Sequence, residues 1–237
     1  MKKFLCFSIL FLSLISCAKK NDNTIIHAEN PVAPVDTIHT SYLALGDSYT
    51  IGQSVPESDR FPLQTAQLLK QQNINITNPD IIAVTGWTTG DLLNALNTTP
   101  PAKNYSMVTL LIGVNNQYQG RSLDEYKTEF TDLLNRSISY AANNKNHVFV
   151  LSIPDYSVTP FARGGDTAKI AKEIDDFNAA NKAITLTAGV HYIDITPVSR
   201  EAKYDPSLIA GDGLHPSGAQ YKKWSELIAP VIFKEIK

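Results

Sequence analysis

The chain has 237 residues, 43% of them apolar and 19% charged, and its 21 basic and 23 acidic side chains give a formal net charge of -2. That suits one globular domain with an appendage and is too apolar for a disordered chain. No basic excess exists to cover phosphates, so no nucleic acid partner is expected.

Lys2 and Lys3 precede a run from Phe4 to Ile15 that is almost wholly apolar. The run is too short to cross a bilayer as a helix and has the length of a signal-peptide core. It ends in Leu14-Ile15-Ser16-Cys17, which resembles a bacterial lipobox. The resemblance implies cleavage before a lipidated Cys17. Residues 1–16 are then a lipoprotein-type signal peptide, 17–39 a lipidated tether and linker, and 40–237 the folded domain. The alternative is ordinary secretion with a chance cysteine. Cleavage would remove Lys2 and Lys3, taking the formal charge to -4, and would remove Cys6. No thiol pair would remain for a disulfide or a zinc site. Ala18, where some lipoproteins carry a retaining aspartate, favours an outer membrane over an inner one, with the domain in the periplasm or at the cell surface. Two or more acyl chains would make such an anchor stable, since one alone is marginal.

Beyond the linker, short apolar runs alternate with longer amphipathic ones. Strands are expected at 42–45, 81–84, 107–112, 148–153 and 192–195, and helices at 61–71, 89–97, 122–142, 167–188 and 217–236. Ser122 with Glu125, and Ser217 with Gln220, have the spacing of helix-capping pairs. In the last helix Tyr221, Trp224, Ile228 and Val231 recur at spacings of three and four, which predicts one buried face. Five β-α units in series predict a parallel sheet with helices on both faces. Ligands of such sheets bind at the carboxyl ends of the strands, near a switch point in strand order.

The polar residues after each strand therefore carry the functional reading. Gly46-Asp47-Ser48-Tyr49-Thr50 follows strand one, and Thr85-Gly86-Trp87 follows strand two. Gly113-Val114-Asn115-Asn116 follows strand three, and Asp212-Gly213-Leu214-His215-Pro216 precedes the last helix. A serine hydroxyl needs a base to become a nucleophile. His215 can be that base, and Asp212, three residues earlier, can fix its tautomer. The Ser48 N–H, the Gly86 N–H and the Asn115 amide can receive an oxyanion. Gly46 and Gly86, lacking side chains, leave room for substrate.

This set resembles the SGNH (GDSL-type) hydrolase superfamily, whose four landmarks occur here in order between residues 46 and 216. The resemblance implies a flavodoxin-like three-layer α/β/α sandwich around a five-stranded parallel sheet, and a serine esterase. Carried over by position, Ser48, His215 and Asp212 form the triad, and Ser48, Gly86 and Asn115 the oxyanion hole. Two positions depart from the pattern: Tyr49 replaces a leucine and Asn116 an aspartate. Asp47, Tyr49, Trp87, Asn116, Asp155 and its neighbour Tyr156 are candidates to touch substrate.

Neither a cofactor nor a metal is expected, because His191-x-x-Asp194 is too sparse for a metal site and no His-Glu-x-x-His occurs. His147 and His191 flank strand starts, away from the site. Asp194 could rival Asp212 as the triad acid but is better read as a loop anchor. The Gly-x-Ser-x-Gly elbow of another hydrolase fold is absent. The expected substrates are small acyl esters, acylated glycans or lysolipids, with short acyl groups favoured because no long apolar lid segment is visible. Two other readings are a non-catalytic glycan- or lipid-binding surface lipoprotein, and a flavin-phosphate cradle at Ser48, Thr50 and Gly52.

Overall fold

The computed structural model describes residues 39–102 and 104–237. The signal peptide, Cys17 and nearly all of the tether lie outside the described residues. Five parallel strands form one sheet: β1 (Tyr42–Gly46), β2 (Asp80–Ala83), β3 (Met107–Leu111), β4 (Val148–Leu151) and β5 (His191–Ile193), in the order β2-β1-β3-β4-β5. The helices are α1 (Ser48–Ile51), α2 (Phe61–Gln71), α3 (Thr89–Thr98), α4 (Val114–Tyr118), α5 (Leu123–Tyr140), α6 (Thr167–Thr187), α7 (Thr196–Arg200) and α8 (Gly218–Ile236). Among the described residues none is long and apolar enough to cross a membrane.

The central strands β1, β3 and β4 are buried along their whole length. Covered on both faces, such strands read as continuous apolar runs rather than alternating ones. α2 packs with α8, while α3, α5 and α6 pack in series, which gives the two outer layers. β1 leads outwards to β2, and every later crossover runs the other way. The direction of winding therefore reverses between β1 and β3, where open sheets of this order hold their ligands. Register places Gly46 beside both Ala83 and Leu111, so the loops leaving β2, β1 and β3 emerge level at one edge.

The last helix closes one layer. Tyr221, Trp224, Ile228 and Ile232 are fully buried, and Val231 is only partly so. The buried stripe thus passes through Ile232 where the spacing predicted Val231, since three and four residues are equally compatible with one face. Burying each such side chain contributes roughly 1.5–3 kcal/mol. Trp224 meets Phe61 of α2 at a tilt and Tyr221 edge-on, and the Ser225 hydroxyl donates to the Phe61 carbonyl at 3.1 Å.

The expected capping pairs form only by half. The Ser122 and Ser217 hydroxyls accept the N–H groups of Glu125 and Gln220. The Glu125 carboxylate turns to Arg121 instead, and the Gln220 amide to the Ser199 carbonyl. A reciprocal box forms at Thr88 and Asp91 of α3. Strand ends also shift by a residue or two: Val84, expected in β2, is exposed beyond its end.

Candidate active site

The chain turns from β1 into α1 through Gly46 and Asp47. A Cβ on Gly46 would lie 2.1 Å from the Thr50 hydroxyl and 2.3 Å from the Leu111 carbonyl. The space this glycine keeps open is therefore filled by the protein and not by substrate, a correction to the sequence-based expectation. Asp47 caps α1 by accepting the Tyr49 N–H at 3.0 Å. Ser48 opens the helix, where amides have no intrahelical acceptor. Thr50 and Gly52 are buried, which leaves no open cradle for a flavin phosphate.

At the far end of the sequence, the loop before α8 brings His215 to the same groove. One Asp212 oxygen faces His215 Nδ1 at 2.6 Å and also accepts the Ser54 hydroxyl at 2.7 Å. The other accepts the N–H groups of Leu214 and His215 at 2.9 and 3.0 Å. Burial pushes the Asp212 carboxyl up, but the hydrogen bonds from Ser54, from the two backbone amides and from the imidazole outweigh it. They hold the group well below the usual carboxylate range. An ionised Asp212 fixes the proton on Nδ1 and leaves Nε2 as the basic nitrogen. Tyr49 packs against the ring at 5.1 Å between centroids, with Trp224 stacked behind it.

Ser48, Tyr49, Val114, Asn115, Tyr118, Tyr156, Phe161, Leu214 and His215 line one groove of about 100 Å³. Ser48 and His215 thus face one groove, and among the described residues no hydrogen bond joins the Ser48 hydroxyl to the ring. Such bonds often tighten only when substrate is bound. The Asn115 amide donates to the Trp87 carbonyl at 3.0 Å, which ties α4 to the loop bearing Gly86. An amide carries two donors, so one remains for a ligand. Gly86 adopts φ +88°, a conformation side chains rarely take, and open space surrounds it.

Asp47, Asn116 and Asp155 sit elsewhere than expected, whereas Asp194 and His191 lie where the sequence placed them. Asn116 is buried, with its carbonyl oxygen on the Thr89 N–H and its amide on the Thr89 hydroxyl, which in turn donates to Glu129. Asp155 is buried too. It accepts from the Ser157 N–H and from Arg200 Nε, each at 2.8 Å. Asp47, Asn116 and Asp155 thus brace the loops and do not line the groove, because their polar atoms are already engaged by the protein. Trp87 packs against the core beside the groove. Asp194 accepts from the Ser152 hydroxyl and the Thr196 N–H, and so anchors the end of β5. His191 stacks on Phe149 at the opposite sheet edge.

Sequence reasoning missed Ser54, Tyr118 and Phe161. Ser54 holds φ +66°, an uncommon conformation for a residue with a side chain, while its hydroxyl reaches Asp212 across 158 residues of sequence. No local pattern marks that contact.

The fold is a doubly wound parallel α/β architecture with polar side chains grouped at its β1/β3 switch point. Residues 44–223 match the GDSL-like lipase/acylhydrolase family, and the chain belongs to that family. It is accordingly a carboxylic ester hydrolase. Similar solved structures share the fold at low identity. The lipase Lip_vut3 from a goat rumen metagenome is 18% identical, with a TM-score of 0.67 over 84% of this chain and 100% of that one. Axe2, an acetylxylan esterase from Geobacillus stearothermophilus, is 20% identical, with a TM-score of 0.59 over 84% and 96%. EstA, a psychrotrophic esterase from Pseudoalteromonas sp., is 18% identical, with a TM-score of 0.59 over 83% and 96%. No curated protein matches the sequence.

Proposed function

We propose that the protein hydrolyses small acyl esters by acyl transfer to Ser48. Nε2 of His215 takes the hydroxyl proton as Ser48 Oγ attacks the ester carbonyl. Asp212 stabilises the imidazolium that forms. The tetrahedral oxyanion is received by the Ser48 N–H, the Gly86 N–H and the Asn115 amide. A single donor of this kind is worth roughly 3–4 kcal/mol in a water-excluded site. The imidazolium then protonates the departing alcohol oxygen. Water, activated by the same ring, releases the acid and restores Ser48. Because Asp212 stays ionised far into acid, only protonation of the imidazole withdraws the base.

The observation that carries this reading is the Asp212–His215 pair opening into the groove that Ser48 lines. The groove's volume, about 100 Å³, favours short acyl groups over long ones. A fluorophosphonate probe tests it: Ser48 Oγ should attack phosphorus and expel fluoride. Mass spectrometry should then find the adduct on the peptide containing Ser48. An intact protein with that peptide unmodified would instead indicate the non-catalytic binding reading.

The chain is further proposed to be held at a membrane, the outer one in preference, through lipid on Cys17. The run from Phe4 to Cys17 supports this. Labelled palmitate should enter the wild type and not Cys17→Ser; equal incorporation in both would refute the anchor.

A further inference from the structure

Three aromatic rings at the mouth of the groove take no part in the acyl transfer. Tyr118 lies on α4, Tyr156 in the short turn Tyr156–Val158, and Phe161 in the turn Pro160–Ala162. Their centroids are 5.9 to 6.3 Å apart, so each touches the other two. Tyr156 is buried beneath, whereas Tyr118 and Phe161 are 59% and 49% exposed. Exposed aromatic surface grouped beside a catalytic groove marks a place where a ligand lies.

The rings are tied to the catalytic elements. Tyr118 shares its short helix with Asn115. The Phe161 N–H donates to the Gly213 carbonyl at 3.0 Å, inside the loop that bears Asp212 and His215, and Pro160 packs against Gly213. The position of the loop and that of the Phe161 ring are therefore set together.

We propose that Tyr118, Tyr156 and Phe161 form the subsite for the alcohol part of the ester, and that it selects alcohols presenting a flat ring face, a pyranoside or an arene. The inference rests on the acyl-transfer reading of Ser48 and His215. In that reading His215 must hand its proton to the leaving oxygen, so the alcohol lies on the His215 side of the scissile bond. Phe161, bonded to the His215 loop, lies on that side. Tyr118, Tyr156 and Phe161 line the same groove as Ser48 and His215. An alcohol on that side lies along the two exposed rings, Tyr118 and Phe161. Aromatic faces carry negative charge density and attract the positive edges of a neighbouring ring.

Three esters of one acid separate the possibilities: phenyl acetate, a methyl xyloside monoacetate and ethyl acetate. The quantity read is kcat/KM for each ring ester divided by that for ethyl acetate. In Tyr118→Ala and in Phe161→Ala this ratio should fall roughly 2–10-fold, with the fall carried by KM. Phe161→Tyr, which keeps the ring, should retain the wild-type ratio. A greater fall on the xyloside identifies a sugar alcohol; a greater fall on the phenyl ester identifies an aryl alcohol. Turnover with unaltered ratios in both alanine variants overturns the subsite alone. A wild type that turns over none of the three and takes no label at Ser48 overturns the acyl-transfer reading, and the subsite with it.

Discussion

Ser48→Ala and His215→Ala should each lower kcat towards a small acetate ester by roughly 10⁴–10⁶-fold, and the double variant should be no worse than either alone. In the proposed mechanism the two side chains act on one proton. Without the base the hydroxyl is not activated, and without the hydroxyl the base has no proton to accept. Among the described residues the Ser48 hydroxyl makes no hydrogen bond that its loss would orphan, so thermal unfolding of Ser48→Ala should track the wild type. What remains in each variant is the part of catalysis due to the oxyanion donors and to binding. Losses that multiply in the double variant would show that the serine and the histidine work independently, and would dissolve the triad.

The second large effect concerns stability. Asp47 is fully buried, and among the described residues no cation pairs with it. Burial raises its carboxyl from the usual 3.8 to about 7, against the opposing pull of the Tyr49 N–H and its own N–H. In the unfolded chain the group ionises near its ordinary value. Between about pH 4 and pH 7 the folded state therefore holds a proton that the unfolded state has lost, and stability falls as pH rises through this window. At about 1.4 kcal/mol per pH unit, the full penalty approaches roughly 4 kcal/mol above pH 7. Asp47→Asn keeps an oxygen to cap α1 and removes the ionisation. Urea unfolding should show the variant matching the wild type near pH 4 and exceeding it by up to that amount at pH 8. Parallel stability curves for the two proteins would mean that Asp47 is not the group responsible.

The architecture was legible because buried parallel strands write themselves as apolar runs. The runs beginning at Tyr42, Met107 and Val148 could be paired with amphipathic stretches of helical period. The helices α1, α4 and α7, of four or five residues, escaped because a single turn shows no period. At the site, motif spacing was informative wherever the contact is local, as between Asp212 and His215. It failed where the contact crosses the fold. Ser54 reaches Asp212 only after β1 and the last loop are brought together, and Phe161 joins Gly213 in the same way. Asn116 and Asp155 were misplaced for a related reason: their positions after strands three and four were visible, but not whether their polar atoms face the groove or the neighbouring loops.

In the proposed mechanism the first strand leads into the nucleophile, and the loop before the final helix carries its base. Ser48 and His215 are separated by most of the folded domain's sequence, so the serine is made long before its partner. On that reading, hydrolytic competence waits for α8 to dock against α2, which seats the loop that bears the base.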